Sequence, residues 1–343
     1  VTKYLFEYLR GQAAAMATDE YFSAFIANSP SAEFWFVLFA LMVFLVIIAG
    51  VKHGVEKVSS IMMPLLVVLA IFVAAYSVTR PGAFEGVKYF LIPNFENFSL
   101  MTVVAAMGQM FYSLSIAMGI LYTYGSYLNK DVDIEQSTSR LELFDTGIAM
   151  LAGLMIIPAV FAFSGGDMAT LQAGPSLMFI TIPKVFASMG FSNIVGFVFF
   201  LMVLFAALTS AISLMETGVS PFVDETGWGR TRCSVLMFVI MLVVGSASAL
   251  GFGVWSFVAP FGMSILDFFD FLTNSVMMPI AAFCTCFLIV KVVGVNRIVE
   301  HVRISSAFRR ERLFDFMIRY VAPICVIIIL ISSVANVLGI IHM

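Results

Sequence analysis

Charged and metal-ligating side chains are scarce in this sequence. Only 11% of its 343 residues are charged, and it contains 3 His and 4 Cys residues. A soluble domain carries about 25% charged and about 45–50% apolar residues. Here 61% of the residues are hydrophobic, and the mean hydropathy is +1.04. The composition excludes a soluble domain and predicts an all-α, polytopic membrane protein.

The few cysteines and histidines form no recognisable reactive pattern. All four cysteines lie in apolar runs, and Cys284 and Cys286 are two residues apart, so they point to different sides of a helix. The histidines are scattered. The sequence contains no nucleophile–base pair, metal motif or phosphate loop, so we predict that the chain is not an enzyme, and we expect no nucleic-acid partner.

Apolar segments of about 20 residues, the length needed to cross a bilayer, recur along the chain. We predict eight spans, near residues 34–51, 60–79, 100–128, 143–163, 193–217, 233–252, 264–292 and 317–340. Residues 1–10 resemble the end of an earlier span, because aromatic and basic residues are typical of a membrane interface. The first residue, Val1, is not Met, so we expect that the chain lacks its true beginning; an alternative start codon or processing would also produce such a first residue.

The distribution of basic residues predicts the orientation. Most of the 18 Lys and Arg residues fall on one set of alternate loops and adjoining span ends, from Lys52 to Arg319. The positive-inside rule places that set in the cytoplasm, so both chain ends are expected on the outer side of a bacterial inner membrane. On the inner side, basic segment 294–316 is predicted to be a helix at the level of the lipid headgroups, with a dedicated partner site as the alternative.

One apolar segment contains an unusual polar cluster. Residues 108–119 (GQMFYSLSIAMG) combine two glycines, an amide and two serines between apolar flanks. Each polar group in hydrocarbon needs a partner. The pattern predicts a helix broken within the membrane, whose freed backbone groups face a ligand. A transporter is therefore favoured over a passive channel of unrelated fold.

Other polar residues in or near the spans leave alternatives open. Ala206, Thr209, Ser210 and Ser213 share one helix face, which favours close helix packing, with a hard-cation site as the alternative. Outer loop 164–192 is either a lid or a packed hydrophobic loop. For Asp145 the residues alone favour a helix N-cap, and for Glu216 and Asp224 a solvated turn. Asp267 and Asp270 either cap the outer end of a span or pair with a cation in a gate.

Four motifs, in order, carry a family resemblance. They are GQMFYSLSIAMGILYTYGSYL, AGPSLMFITIP, AALTSAISLMETGVSPFVDE and DFFDFLTN. The chain resembles the neurotransmitter:sodium symporter family, bacterial branch, over its whole length. The resemblance implies an inverted-repeat amino-acid transporter fold in a single transmembrane domain, residues 1–343. By the same resemblance, the chain corresponds to the end of the family's third span through its eleventh, and the first two spans and most of the third are missing.

The resemblance also assigns candidate site residues. Those expected at the amino-acid substrate are Tyr112, Ser113, Ser115, Met118, Ala211 and Leu214. Two sodium sites are expected in the complete transporter, the first with Ser113 and Asp145 and the second with Ala206, Thr209 and Ser210. Because the Asp145 carboxylate lies where other members have an asparagine, beside the chloride site of animal relatives, we predict chloride independence. Gates or their supports are expected at Gln109, Tyr127, Glu216, Asp224 and Asp270.

These assignments predict sodium-coupled symport of an amino acid. A pocket lined by Tyr112, Met118 and Leu214 favours an apolar or aromatic substrate. The alternative is a truncated product that is inactive in transport or assembles as a structural partner with another membrane polypeptide. Besides substrate and sodium, the expected partner is the lipid bilayer, and the sequence specifies no oligomeric state.

Overall fold

A computed structural model describes residues 1–165, 174–188, 190–337 and 339. No strand occurs in this part of the chain, so the all-α prediction is confirmed. The α-helices, numbered in chain order, are α1 (Thr2–Leu9), α2 (Ala13–Met16), α3 (Asp19–Ala27), α4 (Ser29–Ile48), α5 (Lys57–Val78), α6 (Ala83–Leu91), α7 (Leu100–Ser113), α8 (Ile120–Tyr127), α9 (Ile134–Ser164), α10 (Ile182–Ser188), α11 (Ser192–Thr226), α12 (Arg230–Leu250), α13 (Ile265–Asp270), α14 (Met278–Phe287), α15 (Val295–Arg303), α16 (Glu311–Phe316) and α17 (Ala322–Val337).

Short segments of π-helix or 3-10 helix continue or connect these α-helices. Within the described residues, five of them are π-helical: Val51–Glu56, Leu177–Thr181, Phe271–Met277, Leu288–Val293 and Met317–Val321. Two are 3-10 turns, at Phe95–Asn97 and Pro260–Gly262. Where a π-helical turn adjoins an α-helix, the two form one longer helical segment.

Among the described residues, seven helical segments are long and apolar enough to cross a membrane. They are Ser29–Ile48, Val51–Val78, Ile134–Ser164, Ser192–Thr226, Arg230–Leu250, Ile265–Val293 and Glu311–Val337. The remaining predicted span, 100–128, is divided between α7 and α8. Many large apolar side chains on these segments are exposed, among them Val243 and Ile331. In a membrane, lipid covers such surfaces, so their exposure agrees with the predicted class.

Local sequence explains how the helices begin. The Asn28 side chain accepts a hydrogen bond from the Ser31 amide at 3.1 Å and caps α4, where Pro30 occupies the first turn. At the start of α7, Ser99 and Thr102 form a reciprocal capping box, with bonds of 3.2 and 3.3 Å. These caps satisfy amide groups that the first helical turn leaves without partners.

The chain divides into two compact units. Unit 1 comprises Val1–Pro93 and Gly147–Ile265, and unit 2 comprises Asn94–Thr146 and Leu266–Met343. In unit 1, α1 packs on α11, where Tyr4 and Tyr8 are buried beside Phe200. A Cβ atom at Gly196 of α11 would lie 2.1 Å from the Tyr8 ring, so this close packing requires glycine. The segment predicted as the end of an earlier span is therefore part of the unit 1 core.

Unit 2 has its own smaller core. Phe111 of α7 packs there with residues of two other helices, which are Met278 and Ala282 of α14 and Val326 and Ile329 of α17. Partly buried side chains of the segment that follows α7 pack against the same cluster. This core holds the C-terminal half of α7, and thus the end of that helix, in place.

The described part of outer loop 164–192 is mostly helical. Leu177–Ser188 forms one short π-helical and α-helical segment, and Ile182, Val185 and Phe186 are buried in the unit 1 core. This burial agrees with the packed-loop alternative for that part. Residues 166–173 and 189, on which the lid alternative also depends, lie outside the described residues.

Candidate functional site

The predicted helix break is present, and it is shorter than the sequence pattern indicated. Helix α7 continues through Gly108 to Ser113, and α8 begins at Ile120. Only residues 114–119 between them are non-helical. The prediction of a break over 108–119 was therefore too wide, because Gly108 has ordinary helical geometry and open space around it.

The backbone of the break adopts left-handed conformations in quick succession. The φ angles are +54° at Ser115, +62° at Ala117 and +85° at Gly119. Residues other than glycine rarely adopt such angles, which cost on the order of 1–3 kcal/mol each. Strain of this kind persists where surrounding packing imposes it, and here Ala117 and its neighbours contact the unit 2 core. The strained backbone marks 114–119 as a candidate binding segment.

A polar contact lies at the edge of this break. The Ser113 hydroxyl, in the last turn of α7, donates a hydrogen bond of 2.7 Å to an Asp145 carboxylate oxygen. Asp145 is half-buried and lies well inside α9, so its prediction as an N-cap is wrong. The contact places a hydroxyl and a carboxylate, both oxygen donors suited to a hard cation, beside the unwound segment.

The predicted substrate residues of unit 2 are distributed around the same break. Tyr112 lies in the last turn of α7 and is 49% exposed. Ser115 and Met118 belong to the unwound segment and are half-buried, and Met118 packs against the unit 2 core. The local surface therefore combines an aromatic ring, a hydroxyl and a thioether.

The second predicted oxygen cluster lies on α11 in unit 1. The Thr209 hydroxyl is buried and donates to the carbonyl groups of Phe205, at 2.9 Å, and Ala206, at 3.1 Å. Ser210 follows it and is exposed. The structure thus brings together the Ala206 carbonyl and the Thr209 hydroxyl, two of the three oxygen atoms predicted to bind a cation. Ala211 and Leu214 lie on the same helix, and Leu214 is exposed.

The environment of Glu216 differs from the one predicted from the sequence. Instead of lying in a solvated turn, Glu216 lies within the long helix α11, and its side chain is completely buried. Arg230, the first residue of α12, donates two hydrogen bonds to its carboxylate, at 2.9 and 2.5 Å. Arg230 also donates to the carbonyl of Ile47 in α4, at 3.3 Å. This ion pair connects three helices of unit 1.

Arg230 is a partner of Glu216 that was not predicted from the sequence. A usable signal was present, because an arginine at the start of one span can reach a carboxylate near the end of the preceding one. The pairing of Arg230 with Glu216 was not predicted because the apolar run ends near residue 217, whereas helix α11 continues to Thr226.

The other predicted gate residues are exposed. Gln109 lies on α7, Tyr127 ends α8, and Asp224 lies in the last turn of α11. Asp270, at the end of α13, accepts a hydrogen bond of 2.6 Å from the Asn274 amide. Their gate roles stay predictions.

No group of three or more His, Cys, Asp or Glu side chains that could hold a metal ion occurs in the described part of the chain. The candidate cation positions instead rely on hydroxyl and carbonyl oxygens together with the single Asp145 carboxylate.

Comparisons with known proteins agree with this architecture. The chain is 30% identical over 336 residues to YhdH, an uncharacterized sodium-dependent transporter of Bacillus subtilis, covering 96% of this chain and 74% of that protein. It is 29% identical to an uncharacterized sodium-dependent transporter of Haemophilus influenzae, covering 91% of this chain and 68% of the relative.

A solved structure shares the fold. The crystal structure of MhsT in complex with L-phenylalanine aligns with a TM-score of 0.84 and 34% sequence identity, over 97% of this chain and 75% of that one. The profile of the Sodium:neurotransmitter symporter family matches residues 8–341. With the helix broken at 114–119 and this match along nearly its whole length, the chain belongs to the sodium:neurotransmitter symporter family.

Proposed function

We propose that the chain carries out the substrate and sodium binding of a symporter that takes up an apolar or aromatic amino acid. Membership of a sodium symporter family makes it a transport protein and not an enzyme. The observation that carries the proposal is the strained break at 114–119 with the Ser113–Asp145 contact at its edge.

The unwound segment supports amino-acid binding by its chemistry. A helix interrupted within a membrane leaves backbone amide and carbonyl groups outside the helical ladder, where they can bind polar ligand groups. Tyr112 and Met118 supply apolar surface next to these groups, which suits an apolar or aromatic side chain. MhsT, a structural neighbour, binds L-phenylalanine. Ala211 and Leu214 are proposed as further substrate contacts on α11.

Two positions are proposed for sodium. The first uses the Ser113 hydroxyl and the Asp145 carboxylate, and the second uses the Ala206 carbonyl with the hydroxyls of Thr209 and Ser210. The fixed negative charge of Asp145 can offset the charge of the cation, so chloride is not required. Each inward-moving charge contributes about 2.3 kcal/mol per 100 mV of membrane potential, which is the energy source for uptake.

The gate roles and the membrane orientation belong to the same proposal. Asp270 is proposed as the acidic member of an outer gate and Asp224 of an inner gate, and Gln109, Tyr127 and Glu216 as residues that support them. The distribution of Lys and Arg supports an inner-membrane protein with both chain ends on the outer side.

Substrate binding to the purified chain in lipid nanodiscs tests the proposal. Radiolabelled leucine, phenylalanine, tyrosine, tryptophan and glutamate are compared in sodium chloride, sodium gluconate and choline chloride. We expect an apolar or aromatic amino acid to bind when sodium is present, with or without chloride. Preference for glutamate would contradict the substrate class, and a need for chloride would contradict the role of Asp145.

A pair of serine substitutions tests the first sodium position. Ser113→Ala removes the hydroxyl next to Asp145, and we expect roughly tenfold more sodium for half-maximal binding, because one hydrogen bond or ligand to a charged group is worth about 1.5 kcal/mol. Ser126→Ala is the matched control, because the Ser126 hydroxyl donates to the Thr123 carbonyl within the neighbouring helix. An unchanged sodium dependence in Ser113→Ala would remove Ser113 from the site.

A further inference from the structure

We infer that unit 2 binds an anionic phospholipid in a groove between the start of α9 and the segment from α15 to α16, called here the α9–α16 groove. This groove lies on the side predicted to be cytoplasmic. It has a volume of about 360 Å³. Its walls are mostly apolar, with Ile134, Ile298, Val302, Phe308, Leu313 and Phe314 among the lining residues. The inference is independent of the proposed transport activity.

Tertiary hydrogen bonds hold the two sides of the groove together. The Glu135 carboxylate, in the first turn of α9, accepts bonds from the backbone amides of Arg309, at 2.8 Å, and Arg310, at 3.2 Å. The Glu142 carboxylate accepts a bond of 3.2 Å from the Arg310 guanidinium. These contacts use the backbone of Arg309 and the side chain of Arg310, and they fix the segment that enters α16.

Two arginines next to the groove-lining residues in sequence are not used in these ion pairs. In unit 2, Arg310 pairs with Glu142, Arg303 with Glu311 and Arg319 with Asp315. Arg309 and Arg312 flank Arg310 and Glu311 in the sequence, and both are exposed. No ion pair involves their side chains within the described part of the chain. Two exposed arginines therefore flank, along the chain, residues that pair near or line the groove, such as Arg310.

An apolar groove next to exposed arginines is typical of a phospholipid site, and it is not typical of a protein surface that faces water. Helix α15 buries Val295, Val299 and Val302 on one face and exposes charged residues on the other, as a helix at the membrane interface does. Nearby, Leu313 and Phe316 are more than half exposed. An acyl chain would cover the apolar walls, while the phosphate would accept hydrogen bonds from Arg309 and Arg312. Clusters of basic residues immediately next to a span on the cytoplasmic side attract anionic lipids in this way.

Fluorescence quenching by brominated lipids tests the inference on the full chain in nanodiscs. Leu313→Trp introduces a fluorophore at the groove, and the unsubstituted chain gives the background from its own tryptophans. Brominated phosphatidylglycerol is compared with brominated phosphatidylcholine in the same unbrominated phosphatidylcholine matrix. We expect the Trp at position 313 to be quenched at lower mole fractions of the anionic lipid, and the preference to weaken as salt is raised.

Paired charge removals distinguish a site from general surface charge. Arg309→Gln with Arg312→Gln, in the Leu313→Trp background, should raise the phosphatidylglycerol needed for half-maximal quenching roughly 30-fold, since each basic residue near an anionic surface contributes about a factor of five. Lys52→Gln with Arg232→Gln is the matched control, because it removes two exposed cations from unit 1 on the side predicted to be cytoplasmic. Equal quenching by both brominated lipids, or equal effects of the two double variants, would overturn the inference.

Discussion

The buried ion pair between Glu216 and Arg230 gives the sharpest quantitative prediction. Glu216 has no exposed side-chain surface, whereas the Arg230 side chain remains 29% exposed. Removing one member of a buried pair typically costs about 3–5 kcal/mol, because a charge is left buried without its partner. The difference in exposure makes the two single removals unequal, because Arg230 can reorient toward solvent and Glu216 cannot.

We expect Arg230→Met to lower the free energy of unfolding by about 3–5 kcal/mol. Glu216→Gln keeps the shape of the side chain and can still accept a hydrogen bond, so its effect should be smaller, about 1.5–3 kcal/mol, the usual contribution of a hydrogen bond to a charged group. Glu216→Met combined with Arg230→Met removes both charges, and this double variant should be more stable than Arg230→Met alone.

Reversible unfolding in mixed micelles of mild detergent and SDS, followed by circular dichroism, measures these differences. Arg232→Met is the matched control, because Arg232 lies two residues further along α12 and is exposed. Its substitution should change the stability by less than about 0.5 kcal/mol. A stabilising buried ion pair would be contradicted if Arg230→Met and Arg232→Met were equally stable, or if the double variant were less stable than Arg230→Met alone.

Two glycines test the backbone and packing arguments in the same unfolding assay, with Gly108→Ala as the shared control. Gly108 is helical with no atom within 4 Å of an added Cβ, so alanine there should stabilise by about 0.5–1 kcal/mol. Gly119 has a φ of +85°, and Gly119→Ala should destabilise by about 1–2 kcal/mol; a stabilising result would contradict the left-handed break. A Cβ on Gly86 would lie 2.8 Å from the Cα of Pro158, so Gly86→Ala should destabilise by about 1–3 kcal/mol, and a neutral result would contradict the close contact of α6 with α9.

The broken helix shows how far sequence patterns can define a site. Polar residues and glycines within an apolar run predicted an interruption, because a lipid-facing helix has no partners for such groups. The pattern could not locate it, since Gly108 fits a helix and the left-handed residues include Ser115 and Ala117. Those conformations depend on packing against the unit 2 core, which involves α14 and α17, far along the chain.

The sequence also predicted the ends of some helices inaccurately. Hydropathy placed one span at 143–163, whereas α9 begins at Ile134, and another at 193–217, whereas α11 continues to Thr226. Hydropathy indicates which part of a helix lipid could cover. The helical backbone hydrogen bonds continue beyond that part, through turns of the helix whose side chains are polar. These two errors in the predicted helix ends led to two wrong predictions, a helix cap for Asp145 and a solvated turn for Glu216.

The sequence was enough to predict the membrane class, the approximate places of the spans, the presence of an interrupted helix and the family, because these depend on composition, on the spacing of apolar residues and on ordered motifs. Which polar groups meet depends on the tertiary structure: Ser113 with Asp145, Glu216 with Arg230, and Glu135 with the two backbone amides just before α16. Each contact joins residues that are far apart in sequence or lie on different helices. Its formation depends on how those helices pack, a property that local sequence periodicity does not contain.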